Sequence, residues 1–365
     1  MVNATPSALL HSLIRNTLPS LAREIWSVCY TLFKLMIPVI VVVKILEELG
    51  AIPFISQLLE PMMAWVGLPE TMGLVFTTTL LTNIYAGMLL FFQLAPEANL
   101  TVAQVTVLSG MLLIAHGLPV EVPIVQQSGV RMMVAFLIRF IGAFVYGALL
   151  FALYEAGDWL QEPVQLVWQP ELTNPSLMEW ALQQLESFVM IFVVISALLT
   201  LLRFLRWIHI ERLMIWLLQP VLRLLGISPQ ATSITIIGVT LGLAFGGGLL
   251  IKEARAGHIQ PKDIFSAMLL LALCHSMIED TLLVLLMGAD ISGVLWFRLV
   301  FALVIVALAT RLLSRCSDEF WYKYLIYPIN KTGSDSGSDS CTTSSATSKS
   351  SDQQQSAPQS EASGV

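Results

Sequence analysis

Residues 114–121 read IAHGLPVE, and residues 273–280 read LCHSMIED. The two octapeptides are 159 residues apart, and each closes a long apolar run with a histidine followed by a carboxylate. Sliding the whole chain by 159 residues extends the match. Lys44 falls on Arg203, Pro61 on Pro220, Gly67 on Gly226, Gly87 on Gly246, Gly129 on Gly288 and Arg139 on Arg298. His116 falls on His275, and Glu121 on Asp280. The matching residues shape backbones or carry charge. A duplicated apolar unit with a polar centre is the plan of many transporters, whose sites lie at the repeat interface near mid-bilayer.

The composition is that of a membrane protein. Of 365 residues, 56% are hydrophobic and 12% charged, against about 25% charged in soluble domains. Tyr30–Leu49, Met72–Leu94, Met132–Tyr154, Phe188–Leu205 and Val294–Leu313 each reach or approach the roughly 20 apolar residues that cross a bilayer as a helix. The expectation is an all-α polytopic fold of about ten membrane segments in two repeats. The alternating ten-residue strands of a membrane barrel are absent. No cleavable leader is read, because Arg15 and Arg23 precede the first apolar run without a small-residue cleavage motif. The four cysteines, Cys29, Cys274, Cys316 and Cys341, have no metal or redox spacing.

The chain divides into an amphipathic N-terminal segment (1–23), repeat 1 (24–156), a linker (157–181), repeat 2 (182–316) and a polar tail (317–365), low in complexity and expected to be disordered from about 328. Basic residues predict the topology. Arg15 and Arg23 put the N-terminus in the cytoplasm, the acidic linker lies outside, and Arg311 and Arg315 return the C-terminus to the cytoplasm. The turn Lys252–Lys262 is basic, whereas its counterpart Phe92–Val102 has no basic residue. Equivalent turns thus fall on opposite faces, so each repeat crosses an odd number of times and the second copy is inverted. Five crossings per repeat require 53–67 and 212–226 to cross. At about 24 Å these are short, and re-entrant or surface helices are the alternative.

Two constellations are candidates for chemistry. The first is His116 and Glu121 with their counterparts His275, Glu279 and Asp280. His275 and Glu279 are four apart, as on one helical face, whereas Gly117 and Pro119 predict a helix break after His116. Ionisable groups at membrane depth are costly and mark function. The pairs are suited to relaying protons or ligating a divalent metal, although their spacing matches no strict metal signature. The plain alternative is that each histidine caps a helix end. The second constellation is Thr77–Gly87, with Thr82, Asn83, Tyr85 and Gly87, aligned with Ile236–Gly248 and its Gly246. Such residues permit local unwinding that offers backbone groups to a solute, or simply let helices pack closely. Arg139 and Arg298 are expected to pair structurally with Glu121 and Asp280. No phosphate loop, nucleotide fingerprint or catalytic triad is present, so neither an enzyme nor a nucleic-acid binder is expected, and no cofactor is implied.

The blocks LLEPMMAWVGLPETMGLVFTTTLLTNIYAG, IAHGLPVEVPIVQQSGV and CHSMIEDTLLVLLMGA resemble the nucleoside-recognition, or Gate, domain. That domain occurs in concentrative nucleoside transporters, the membrane part of bacterial ferrous-iron transporters, and spore-maturation membrane proteins. The chain resembles two such domains fused over about residues 26–315. The resemblance implies an inner-membrane protein that transports a small polar solute, a nucleoside by the family's name, or an ion such as a divalent metal. The polar nucleoside-binding signatures and the GTPase domain of those relatives have no counterpart here. Partners are then the lipid bilayer and the solute, with a homo-oligomer open. A non-transporting membrane scaffold, in which the same residues only hold helices together, is the competing reading.

Overall fold

The computed structural model describes residues 18–49, 51–166, 177–207, 210–224, 227–257 and 259–327. Most of the N-terminal amphipathic segment, the middle of the linker and the polar tail from 328 lie outside the described residues. The described residues form helices and two isolated β-bridges, with no strand. In chain order the helices are α1 (Leu18–Glu48), α2 (Ala51–Ala64), α3 (Met72–Leu81), α4 (Ile84–Ala98), α5 (Val102–Ala115), α6 (Leu118–Gln127) and α7 (Met132–Gly157). The second half supplies α8 (Leu177–Trp207), α9 (Ile210–Leu224), α10 (Pro229–Leu241), α11 (Leu243–Ala256), α12 (Pro261–Leu273), α13 (Glu279–Leu286) and α14 (Ser292–Leu313). The first turns of α14, Ser292–Phe297, are π-helical.

Three helical stretches among the described residues are long and apolar enough to cross a bilayer: α7, residues Gln184–Leu201 of α8, and α14. A fourth crossing exists if α5 and α6, bent by 43° at their junction, count as one. Both α7 and α14 carry an exposed apolar stripe at helical spacing. On α7 it is Leu137, Ile141, Val145 and Leu149, and on α14 it is Trp296, Val300, Val304 and Leu308, the residues 159 positions later. A soluble protein rarely exposes such continuous apolar surface. Lipid solvates it.

The expected span Met72–Leu94 is not one helix, because the sequence breaks it at Thr82–Asn83. Thr79 and Thr82 turn their hydroxyls back onto Val75 O (2.8 Å) and Thr78 O (2.6 Å), a local bond that bends helices. Asn83 then adopts an extended backbone, and its Oδ1 accepts from Ala86 N at 3.0 Å to start α4 afresh. In the second half the corresponding break falls at Gly242, whose φ of 98° and ψ of 164° suit only glycine. The helices α3 and α4 fold against one another at Gly87, where an added Cβ would lie 1.6 Å from Thr79 Oγ1.

Helices α5 and α12 end in the interior. With 14 and 13 residues they measure about 20 Å each, too short to cross alone, and their C-terminal ends meet. Their flanking long helices run antiparallel: the Tyr146 ring lies 5.1 Å from that of Phe301, whereas Tyr154, two turns further along α7, meets Ser292 Oγ at 3.0 Å. Positions thus fall along α14 as they rise along α7. Tyr146 also donates to Gly293 O. The segments 53–67 and 212–226 correspond to α2 and α9, of 14 and 15 residues. At about 21–23 Å they fall short of the roughly 30 Å hydrocarbon core. In α9, Leu218 and Leu222 are buried while Leu213, Trp216 and Leu217 are exposed, so its outer face is apolar too.

Replacing Gly87 by Ala drives a methyl into Thr79, so Gly87→Ala should cost about 1–3 kcal/mol. Adding Thr79→Ala, which removes the obstructing hydroxyl, should recover part of that loss. Thermal unfolding of the detergent-solubilised single and double variants measures both.

Candidate functional site

Four helix breaks converge where α5 and α12 meet. His116 is the C-cap of α5, and its backbone N–H bonds Leu112 O at 3.0 Å. Gly117, at φ 60°, then turns the chain so that its N–H reaches Thr79 O at 3.0 Å, tying this break to the one at Thr82–Asn83. The second half repeats the device with a residue that is not glycine: Ser276 sits at φ 50°, and Met277 N bonds Val239 O at 2.9 Å. An L-residue there costs about 1–2 kcal/mol.

The two histidines meet across the halves. His116 Nε2 and His275 Nε2 are 3.2 Å apart. Each Nδ1 faces the carbonyl oxygen four residues back, Leu112 O at 3.0 Å and Leu271 O at 2.7 Å. A carbonyl only accepts, so both Nδ1 atoms carry hydrogen and both neutral rings present an Nε2 lone pair to the other. Glu121 Oε1 stands 3.3 Å from His275 Nε2 and 3.5 Å from His116 Nε2, and Asp280 Oδ2 is 3.6 Å from His116 Nε2. Two facing lone pairs flanked by carboxylates repel unless positive charge lies between them.

The arginines hold the broken ends together. Arg139 is 0% exposed and Arg298 1%. Arg139 donates Nε–H to Ile114 O (2.7 Å) and Nη2–H to His116 O (2.9 Å). Arg298 donates Nε–H to Leu273 O (3.2 Å) and Nη2–H to His275 O (2.9 Å), the same pair of bonds 159 residues on. A second Nη2 bond from Arg298 crosses to Leu113 O at 3.2 Å. These carbonyls have lost their helical partners at the break, and leaving one buried and unpaired costs about 1–3 kcal/mol.

The match ends at the carboxylates. Arg139 Nη1 bonds Glu121 Oε2, as the sequence suggested. The expected Arg298–Asp280 pair is not formed. Arg298 Nη1 and Asp280 Oδ2 are both buried without a hydrogen bond among the described residues. Aspartate is one methylene shorter than the glutamate at the equivalent position, and here it leans towards His116. The helical pairing of His275 with Glu279 is also absent. α12 stops at Leu273 and α13 starts at Glu279, so the two are not on one helical face. Instead Glu279 Oε1 accepts from Tyr85 Oη of the first half at 3.2 Å, and the carboxylate beside His275 is Glu121.

Among the other candidates, Thr82 and Asn83 occupy the first break, and Asn83 Nδ2 is buried without a hydrogen bond among the described residues. Gly87 packs against Thr79. Gly246 lies on the first turns of α11. The exchange of partners between halves has no signal in local spacing. The break after His116 does, in Gly117 and Pro119, whereas the left-handed turn at Ser276 has none.

No family model matches the chain, and no solved structure matches it. It is 26% identical over 285 residues to an uncharacterized membrane protein, YvoD, of Bacillus subtilis (strain 168), an overlap covering 76% of this chain and 88% of that protein. Together with the apolar helices, this identifies a membrane protein with transmembrane helices.

Removing Arg139 leaves Glu121 buried without its cation, a situation that costs about 3–5 kcal/mol. Arg139→Gln should therefore lower the unfolding temperature sharply. Adding Glu121→Gln should recover much of the loss, although the freed carbonyls of Ile114 and His116 keep the double variant below wild type. A double-mutant cycle on melting temperatures reads the coupling directly.

Proposed function

We propose that this protein is a plasma-membrane (in a double-membraned cell, inner-membrane) transporter of a small polar solute or ion, built from two inverted repeats. The coupling centre is the cluster His116, Glu121, His275 and Asp280. The observation that carries the reading is the contact between His116 and His275, with a carboxylate from each half beside it. A scaffold gains nothing from two lone pairs facing each other in a buried position. A transporter needs a charge-sensitive junction between the parts that move.

The inverted arrangement is supported by the arginine–carbonyl bonds repeated at an offset of 159, by the antiparallel run of α7 and α14, and by the head-to-head ends of α5 and α12. On this reading several of the ten expected segments are half-spans, as in other transporters whose discontinuous helices line the site. The acidic residues Glu155, Asp158 and Glu162 then face outside, and Arg131, Lys262, Arg311 and Arg315 face the cytoplasm, with both termini inside.

The unequal carboxylates supply a two-state element. In the arrangement described, Arg139 holds Glu121 while Arg298 and Asp280 stay apart. The mirror arrangement would join Arg298 to Asp280 and release Glu121. Exchange between them rocks one repeat against the other, and a positive charge bound at the histidines biases which pair forms.

A nucleoside, the substrate class the Gate-domain resemblance implies, is the second reading. Asn83 favours it, because Nδ2 is a buried donor without a partner among the described residues and lies at a helix break. Proteoliposome flux separates the readings, with labelled uridine, an internal pH dye and an internal chelating dye for divalent metals as parallel probes. Wild type should move at least one of them, and His116→Ala/His275→Ala should slow that flux at least tenfold while eluting as a folded protein. No flux of any probe through well-folded wild type, or flux unchanged in the double variant, would leave the scaffold reading standing.

A further inference from the structure

We propose that the cluster is a divalent transition-metal site with four protein ligands: His116 Nε2, His275 Nε2, Glu121 Oε1 and Asp280 Oδ2. The proposal deepens the reading of this cluster as the coupling centre by naming the ion it takes.

Geometry separates a metal from a shared proton. A tetrahedral ion with nitrogen and oxygen ligands at about 2.0–2.1 Å places those ligands about 3.3–3.4 Å from one another. Four of the six ligand-to-ligand distances are 3.2, 3.3, 3.5 and 3.6 Å. The oxygen of Asp280 and both histidine nitrogens can be chosen within 4.8 Å of one another. A proton between the imidazoles would account for the first distance and attract the carboxylates, but its hydrogen would be engaged between the two nitrogens. It would leave Asp280 Oδ2 buried, aimed at the cluster and without a hydrogen bond, an arrangement that a cation resolves.

The outer contacts are those of ligating histidines. Both Nδ1 atoms bond a backbone carbonyl, which fixes the ring and turns the Nε2 lone pair inward. Glu121 is oriented by Arg139 through its other oxygen, leaving Oε1 for the ion. Two imidazoles with two carboxylates select borderline divalent ions such as Zn2+, Co2+ or Fe2+ over Mg2+ and Ca2+, which prefer all-oxygen shells. Cys274 adjoins His275 in sequence but its sulfur is not among the donor atoms gathered with the two histidines and Asp280, so the proposed shell contains no sulfur.

The test uses the full chain, purified in detergent, stripped with a chelator and titrated with Co2+. One equivalent per chain should bind with the intense visible absorption of a tetrahedral ion and without a thiolate charge-transfer band. Zn2+ should displace the Co2+, and a thousandfold excess of Mg2+ should not. His275→Gln and Asp280→Asn should weaken Co2+ binding at least tenfold. Should either variant fail to fold, the wild-type spectrum still decides. Absence of a stoichiometric site, an octahedral spectrum, or a sulfur charge-transfer band would each overturn the proposal. So would unchanged affinity in the folded variants. Binding is read without transport: a metal site in a protein that moves no probe would defeat the transporter reading alone, and flux without a metal site would defeat this one alone.

Discussion

Backbone groups cut loose inside an apolar protein must find partners, and the rest of this fold follows from how they do. A continuous helix satisfies its own amides and carbonyls, which is why helices span membranes at all. This chain interrupts helices at Thr82–Asn83, after His116, at Gly242 and after Leu273, and the ends of α5 and α12 strand carbonyls in the buried interior. Arg139 and Arg298 are the response. Each guanidinium spreads its donors over the end of its own half's broken helix, and Arg298 reaches into the other half as well. A buried arginine would otherwise be among the least tolerable residues at this depth. Here it replaces the missing turn of helix.

The polar centre then follows from the same constraint. Ending α5 and α12 in the interior brings their C-terminal ends together, with a histidine just past each: His116 caps α5, and His275 follows the Cys274 cap of α12. Because the helix end also supplies the carbonyl that fixes Nδ1, the geometry that solves the backbone problem orients Nε2 towards the junction. Close packing at Gly87 and Thr79 keeps α3 and α4 together beside it. Structure and chemistry are therefore hard to separate by deletion alone, and pairs of substitutions are more informative than single ones.

Much of this was legible in the sequence. The match at an offset of 159 aligned the arginines and the histidines. Those recur in the structure because they obey local rules of helix termination. Pro119 and the Thr–Asn run likewise announced breaks. What the spacing could not convey was pairing across the two halves. Local periodicity put Glu279 with His275, but the helix stops at Leu273, and Glu279 turns to Tyr85 while Glu121 comes from the other half. The missing Arg298–Asp280 pair, with Asp280 beside His116 instead, is visible only once both backbones are placed. Met72–Leu94 looked like one span because its composition is apolar throughout. Hydrogen bonding by side chains, rather than hydropathy, divides it.

The two halves meet through His116 and His275, and that contact can be trapped chemically. Replacing both by cysteine, in a chain whose four native cysteines are serine, puts a pair of thiols at the junction. Mercuric ion, which bridges two close thiolates, would then be added in the membrane, followed by proteolysis and mass spectrometry. A single mercury linking the peptide around residue 116 to that around residue 275 is the predicted product. Two separately modified peptides, with no bridged species, would mean that the helix ends do not meet and would contradict the account at its root.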